Sequence, residues 1–412
     1  MISFRIGMFG ACLAATACMD MAPSGLSLGE IESLDPPLGE GSLWPGLSSR
    51  GDKLALSWQE RDADNAWFVK AAILDEGGWT SAHTVARSSE EREFFVNWAD
   101  FASVELLGSD ELVAHWLVRG PDRGYDYGVR ISRSTDGGAT WTEPWTPHTD
   151  GTRTEHGFVS KFSLGDGGLG LVWLDGRNSV DKDGTEGEPG AMALHYRSLD
   201  RHGVAGSERL IDARVCDCCQ TDAAAAASGP VVVYRDRSDD EVRDIYVARL
   251  VDGDWTEGTP VHSDGWVIPA CPVNGPAVAA RDNDVAVAWF TGAGDEPRAQ
   301  VAFSSDGGVL FGDPIRVDDG RALGRVDVLW LESGSVLVMW LERRPRTAEI
   351  LVRQVWPDGR VSDVAVVTTT SAGRDSGFPS MIQDNVGRVV FAWTETDDVR
   401  RVKVARTNEA IR

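Results

Sequence analysis

The sequence predicts an all-β chain folded as a β-propeller, and three observations predict it. One strand signature recurs seven times, glycine and tryptophan are abundant, and a Ser-Thr-Asp-Gly-Gly-Ala-Thr-Trp turn (residues 134–141) stands between two strand candidates. The signature is an apolar or alternating run that ends on an aromatic residue and passes into a polar turn. Its copies end at Trp58, Trp116, Trp173, Tyr234, Trp289, Trp340 and Trp393, a spacing of 51 to 61 residues. That interval holds one four-stranded blade, so 412 residues become a radial array instead of two or three ordinary domains. The 45 glycines and 16 tryptophans suit many short strands, tight turns and aromatic packing between sheets.

The remaining strands of each blade follow around the aromatic one. A small-residue strand precedes it, as in residues 157–163 and 274–280. A third strand follows it, as in Asp244-Ile245-Tyr246-Val247-Ala248-Arg249, and a fourth comes after a Gly/Asp turn, as in Thr259-Pro260-Val261-His262. Seven aromatic strands predict seven blades. The last repeat stops after its third strand near Arg406, and a lone strand candidate lies at Gly29-Glu30-Ile31-Glu32-Ser33-Leu34. That N-terminal strand is expected to complete the final blade and close the ring, which leaves short, protected edges.

Ahead of the propeller, residues 1–17 carry one positive charge, Arg5, and an apolar run ending in Ala15-Thr16-Ala17 before Cys18. This is the pattern of a secretory signal. Cysteine directly after the small residues resembles a bacterial lipobox, which implies lipidation at Cys18; a plainly cleaved signal is the alternative. The run is too short to span a bilayer as a helix. The domain reading is therefore 1–17 signal peptide, 18–43 lipid-anchored tether and closing strand, and 44–412 propeller. An exported lipoprotein facing the periplasm or cell surface is expected, with membrane contact through the lipid alone. The net charge of −24 and a pI near 4.6 speak against a nucleic-acid partner, because phosphate backbones repel such a surface. A soluble monomer is expected, with a glycan or another envelope protein as partner.

Ser134, Asp136, Gly138 and Trp141 match the S-x-D-x-G-x-T-W Asp box, and Ser304, Asp306 and Gly308 repeat it in a degenerate copy ending at Phe311. The aspartate can accept from the loop's own backbone, and the glycines allow positive φ. These boxes resemble those of the sialidase-like propeller superfamily, in which they lie away from the substrate, so a structural role is expected. Sialidases proper have six blades, which makes six the alternative count.

The resemblance also implies a site: three arginines for a carboxylate, and a tyrosine nucleophile with glutamate and aspartate partners. The early F/Y-R-I-P signature is absent. Arg177, Arg235 and Arg325 stand near predicted channel ends, as does Arg237, and Tyr234 is the tyrosine candidate, although it also occupies the repeat aromatic position. Asp100, His156, Asn274 and Asp327 are further channel candidates, either as acid–base groups or as turn caps. The acidic stretch 178–189 reads as a solvated loop, with calcium binding the alternative.

Cys216-Asp217-Cys218-Cys219-Gln220-Thr221 opens the fourth blade and Ala270-Cys271-Pro272-Val273-Asn274-Gly275-Pro276 the fifth. One repeat separates them, so they are expected side by side on neighbouring blades. Two disulfides, a thiolate site for zinc or copper with His262 or His156, and a redox pair are all open to these four cysteines. Together with the segment at 234–246, these motifs resemble a group of bacterial exported propellers labelled sialidase-like. Three functions follow as expectations: a propeller that binds or hydrolyses glycans at its channel mouth (an exo-sialidase-like glycoside hydrolase if it is an enzyme), a non-enzymatic envelope scaffold, or a metal or redox protein.

Overall fold

The computed structural model describes residues 25–122, 124–165, 167–179, 190–396 and 399–412. The expected signal peptide, the lipidation at Cys18, and Asp181, Asp183, Glu186 and Glu188 of the acidic loop lie outside the described residues. Among the described residues, strands account for nearly all regular structure, with two 3-10 turns.

Seven antiparallel sheets form the blades. Their inner strands are Leu43–Arg50, Ser103–Leu106, His156–Ser163, Asp222–Ala226, Ala277–Arg281, Ala322–Trp330 and Ser380–Gln383. Each is followed by the aromatic-ended second strand and by a third. Blade 2 has three strands, with Trp145 bridging Ile131 where a fourth would run. Inner strands of neighbouring blades pack together except at blades 2 and 3, where the third strand of blade 2 meets the inner strand of blade 3, and the inner strand of blade 7 packs on blade 1. The N-terminal strand Ile31–Leu34 pairs antiparallel with Arg401–Thr407 of blade 7, Ile31 opposite Thr407 and Leu34 opposite Val404.

The core lies between blades. Seven apolar layers of buried residues each join two consecutive blades, from Leu56, Trp58 and Val404 at the 7–1 junction to Trp340, Val301 and Val338 at the 5–6 junction. Seven layers require seven blades, so the six-blade count of sialidases proper does not apply. The period-2 alternation of the second strand explains the layers: its aromatic side chain points to the preceding blade.

A hydrogen-bonded girdle reinforces the junctions. A side chain near the inner strand of one blade accepts a backbone N–H at the head of the next. Val104 N donates to Ser57 (3.1 Å), Phe158 N to Asp100 (2.9 Å), Val278 N to Asp222 (2.8 Å), Arg325 N to Asn274 (2.8 Å), Met381 N to Asp327 (2.7 Å) and Trp44 N to Thr394 (3.1 Å). Asp100, Asn274 and Asp327, expected on the channel, are thus all junction pins.

The Asp boxes sit at the far end of the blades. Ser134 ends the third strand of blade 2 and pairs with Leu112, the start of the second strand, so the box lies opposite the face on which inner strands begin. Asp136 accepts from Thr140 N (2.9 Å) and Thr140 Oγ1 (2.6 Å), and Trp141 Nε1 donates to Gly138 O (3.0 Å). Gly138 has φ +93°, which an L side chain resists. Ser134 Oγ also donates to Asp136 and accepts from Gly138 N (both 2.8 Å), and Ser304, Asp306 and Gly308 repeat these two bonds.

Candidate functional site

Two kinds of segment build the other face, here the upper one: turns leading into inner strands and turns joining second to third strands. Three inner strands enter through a bulge, between Leu43 and Gly46, Gly157 and Ser160, and Gly324 and Asp327. At these bulges Trp44, Phe158 and Arg325 take φ of 51°, 52° and 52°. Left-handed backbone is costly for such bulky residues, and bulges and strain of this kind gather at functional sites.

Beside the blade 3 bulge stands a carboxyl–phenol–carboxyl cluster. Tyr127, the first residue of the third strand of blade 2, brings its hydroxyl to 3.0 Å from Asp100 Oδ2 and 2.5 Å from Glu155 Oε1. Gly157 makes room, since a Cβ there would fall 1.9 Å from Asp100 Oδ2. One phenol proton faces two carboxyl groups, so one carboxyl must carry a proton of its own to avoid two lone pairs meeting. Burial supplies the drive: it lifts Asp100 to about 7 and Glu155 to about 8, with Asp100 and Asp217 adding repulsion at Glu155. The Tyr127 phenol is raised well above its ordinary value by burial and by both carboxylates. Asp100 and Tyr127 are buried, whereas Glu155 is half-buried and forms the outward end. A half-buried carboxyl titrating near neutrality, backed by a second proton reservoir, can donate and accept protons.

Aromatic rings and guanidinium groups surround this cluster. Phe95 stacks on Tyr127 at 3.8 Å between centroids, and Arg119 lies over Phe95 at 4.8 Å. From Arg119 a cleft of about 710 Å³ runs between blades 1 and 2, lined by Trp44, Arg61, Trp67, Arg87 and Glu93. Trp44 stacks with Trp67 at 6.2 Å, and Arg61 covers Trp67 at 4.5 Å. On the other side Trp98, two residues before Asp100, stacks with Phe378 at 5.8 Å under Arg325 and Arg374. Flat apolar rings flanked by fixed donors suit a ligand with apolar faces and hydroxyl edges.

The cysteine segment adjoins the same mouth. Gln220 donates from Nε2 to Ala99 O (2.7 Å) and accepts from Gly275 N (3.2 Å), tying the Trp98–Asp100 loop to blades 4 and 5. Cys216, Cys218, Cys219 and Cys271 are free thiols, and no disulfide is present among the described residues. Cys218 and Cys271 come together across the blade boundary, with their Sγ atoms within 4.8 Å.

The other candidates lie elsewhere. Tyr234 is fully buried between blades 3 and 4 and donates to Asp212 (2.7 Å), so it packs as the repeat aromatic that its position implies. Arg177 is held by Asp175 and Glu208. Arg235 is buried and gives its donors to the carbonyls of Asn274, Arg243 and Phe290. Arg325 donates to the Ser376 hydroxyl and to the carbonyls of Gly373 and Gly377. Each arginine is held by a different set of partners, and the three do not converge as a carboxylate-binding triad. His156 bonds Asp150 (3.1 Å) and stacks on His148, and His262 faces Asp264; both belong to groups other than the cysteines. Of the proposed catalytic residues, Asp100 alone joins the phenol cluster.

No protein-family model and no curated protein matches the sequence. Solved structures do match in fold. A PL25 ulvan lyase bound to -[GlcA(1-4)Rha3S]- aligns with TM-score 0.53 at 10% identity, covering 94% of this chain and 95% of that one. The polysaccharide lyase Uly1 aligns with TM-score 0.52 at 12% identity over 94% and 93%. A protein of unknown function from Dyadobacter fermentans aligns with TM-score 0.51 at 15% identity over 91% and 97%. The likeness is one of fold, carried along nearly the whole chain.

Proposed function

We propose that this propeller binds a glycan in its upper cleft and processes it by proton transfer at Glu155. The observation that carries the reading is the single phenol of Tyr127 shared between buried Asp100 and half-buried Glu155, on the same face as a stacked pair of tryptophans covered by arginine. Glu155 acts as general acid and base, and Tyr127 with Asp100 restores its proton from behind. Support of a second kind comes from the polysaccharide lyases that share the fold, one of which carries a bound acidic glycan.

A panel of fluorogenic glycosides, sialosides included, and of uronate polysaccharides followed by the absorbance of unsaturated products tests both bond-breaking routes. Turnover of one class is expected. Glu155→Gln and Tyr127→Phe should each lower it by about 10²- to 10⁴-fold, the range that a positioned acid–base group supplies, with the ligand still retained. Binding without turnover by the unaltered chain would leave a glycan-binding propeller and remove the acid–base role. Full turnover in Glu155→Gln would do the same.

A further inference from the structure

Three sulfurs cluster where blades 4 and 5 open onto the upper face, and a fourth lies beside one of them. The Sγ atoms of Cys216, Cys218 and Cys219 lie within 4.8 Å of one another. Cys216 Sγ is 3.5 Å from that of Cys219 and 3.9 Å from that of Cys218. Cys271 arrives from the equivalent turn of the next blade and places its sulfur within 4.8 Å of Cys218. A tetrahedral thiolate site with metal–sulfur bonds of about 2.3 Å has sulfur–sulfur edges of roughly 3.8 Å. A disulfide requires about 2.05 Å. The two measured separations straddle the tetrahedral edge.

Two guanidinium groups face the cluster. Arg243 Nη1 lies 3.2 Å from Cys216 Sγ, and its other donors are anchored on Glu241. Arg235, buried beneath, also sets a positive charge against Cys216 and Cys219. Guanidinium groups so placed offset the negative charge that a metal–thiolate centre gathers and hold its ligands in orientation. Cys216 and Cys219 are buried, and Cys271 is exposed, which gives an ion a route in.

We infer that Cys216, Cys218, Cys219 and Cys271 bind one soft d10 cation, Zn²⁺ or Cu⁺, across the boundary of blades 4 and 5. Each thiol gives its proton to solvent as its sulfur becomes a ligand, and no electron changes hands. The ion pins the turn that carries Gln220, and through Gln220 the loop of Trp98 and Asp100. Its role is to position that loop, and it stands on observations separate from those behind glycan processing.

The full chain, purified under reductant and without chelator, tests this by elemental analysis, a free-thiol count and absorbance after exchange with Co²⁺. About one zinc or copper per chain is expected, and the analysis itself distinguishes the two. The thiols should react slowly until a chelator is added, and the cobalt form should show the intense visible bands of tetrahedral thiolate coordination. Cys216→Ser and Cys219→Ser should lose the ion, with near-ultraviolet circular dichroism reporting whether they fold; the unaltered chain needs no such control. Four reactive thiols with no ion would overturn the proposal. So would two disulfides, or an ion whose stoichiometry both variants leave unchanged. None of these readouts depends on glycan turnover.

Discussion

A buried tryptophan has one polar hydrogen to place, and this chain places several in the same manner. Trp58 donates to Glu60 (2.7 Å), Trp173 to Asp175 (2.8 Å), Trp340 to Glu342 (3.0 Å) and Trp289 to Asp264 (2.7 Å). Tyr234 stands at the same repeat position and gives its hydroxyl to Asp212. The acids are in turn balanced by bases, Lys70 at Glu60, Arg177 at Asp175 and Arg344 at Glu342, which accounts for Arg177 without a ligand. Tyr234→Phe strips a donor from Asp212 and is expected to cost about 1–2 kcal/mol, seen as a lower melting temperature, with turnover unchanged. Lost turnover at unchanged melting would restore Tyr234 as a site residue. Tyr127 differs because its hydroxyl meets two carboxyls from two different loops, a pairing no local pattern announces. Asp100 was legible as an acid ahead of an inner strand; Tyr127 and Glu155 were not, since their partnership spans blades 2 and 3. An acid immediately before His156 at another strand head was the available signal.

At the scale of strands, blade rhythm was legible because the aromatic second strand is apolar on both faces and repeats at a nearly constant interval. The bulges at the strand heads were not, since they arise where a strand must bend into a crowded ring. The strand Ile31–Leu34 supplies the outer edge of blade 7, and Leu28 and Leu34 pack against blades 6–7 and 7–1 respectively. Deleting residues 27–36 would expose the Arg401–Thr407 edge and uncover both layers. A lower melting temperature and a tendency to associate through the bared strand are expected, read by calorimetry and light scattering. Unchanged melting would mean that the six remaining junctions and the blade 7–blade 1 contact hold the ring without it.

Three of the six girdle acceptors share one electrostatic habit: Asp100, Asp222 and Asp327 are carboxyl groups set into the junctions between blades. Burial raises Asp100, Asp222 and Asp327 each to about 7, against about 4 when exposed. A folded-state value above the unfolded one means that the protonated form is the one favoured on folding. The contribution is therefore complete below about pH 4 and is lost as pH rises through about 7. Melting temperature is expected to fall between about pH 4 and 7.5 and then level off, and to fall less in Asp222→Asn with Asp327→Asn, which keep an acceptor oxygen for Val278 N and Met381 N but cannot ionise. A parallel shift of both curves would place the pH response elsewhere. Neither the girdle nor its titration was legible in the sequence, where Asp222 is one acid among 64 Asp and Glu.

The pairing of Ile31–Leu34 with Arg401–Thr407 also sets an order of events during synthesis. The first strand among the described residues is among the last to find its partner, which is made only after the six intervening blades. Blades 1 to 6 must therefore stack as an open arc, each on the one before, while the early strand waits unpaired. Emergence of Arg401–Thr407 gives Ile31–Leu34 its partner, so until then the chain is expected to expose an unpaired strand edge open to misassociation.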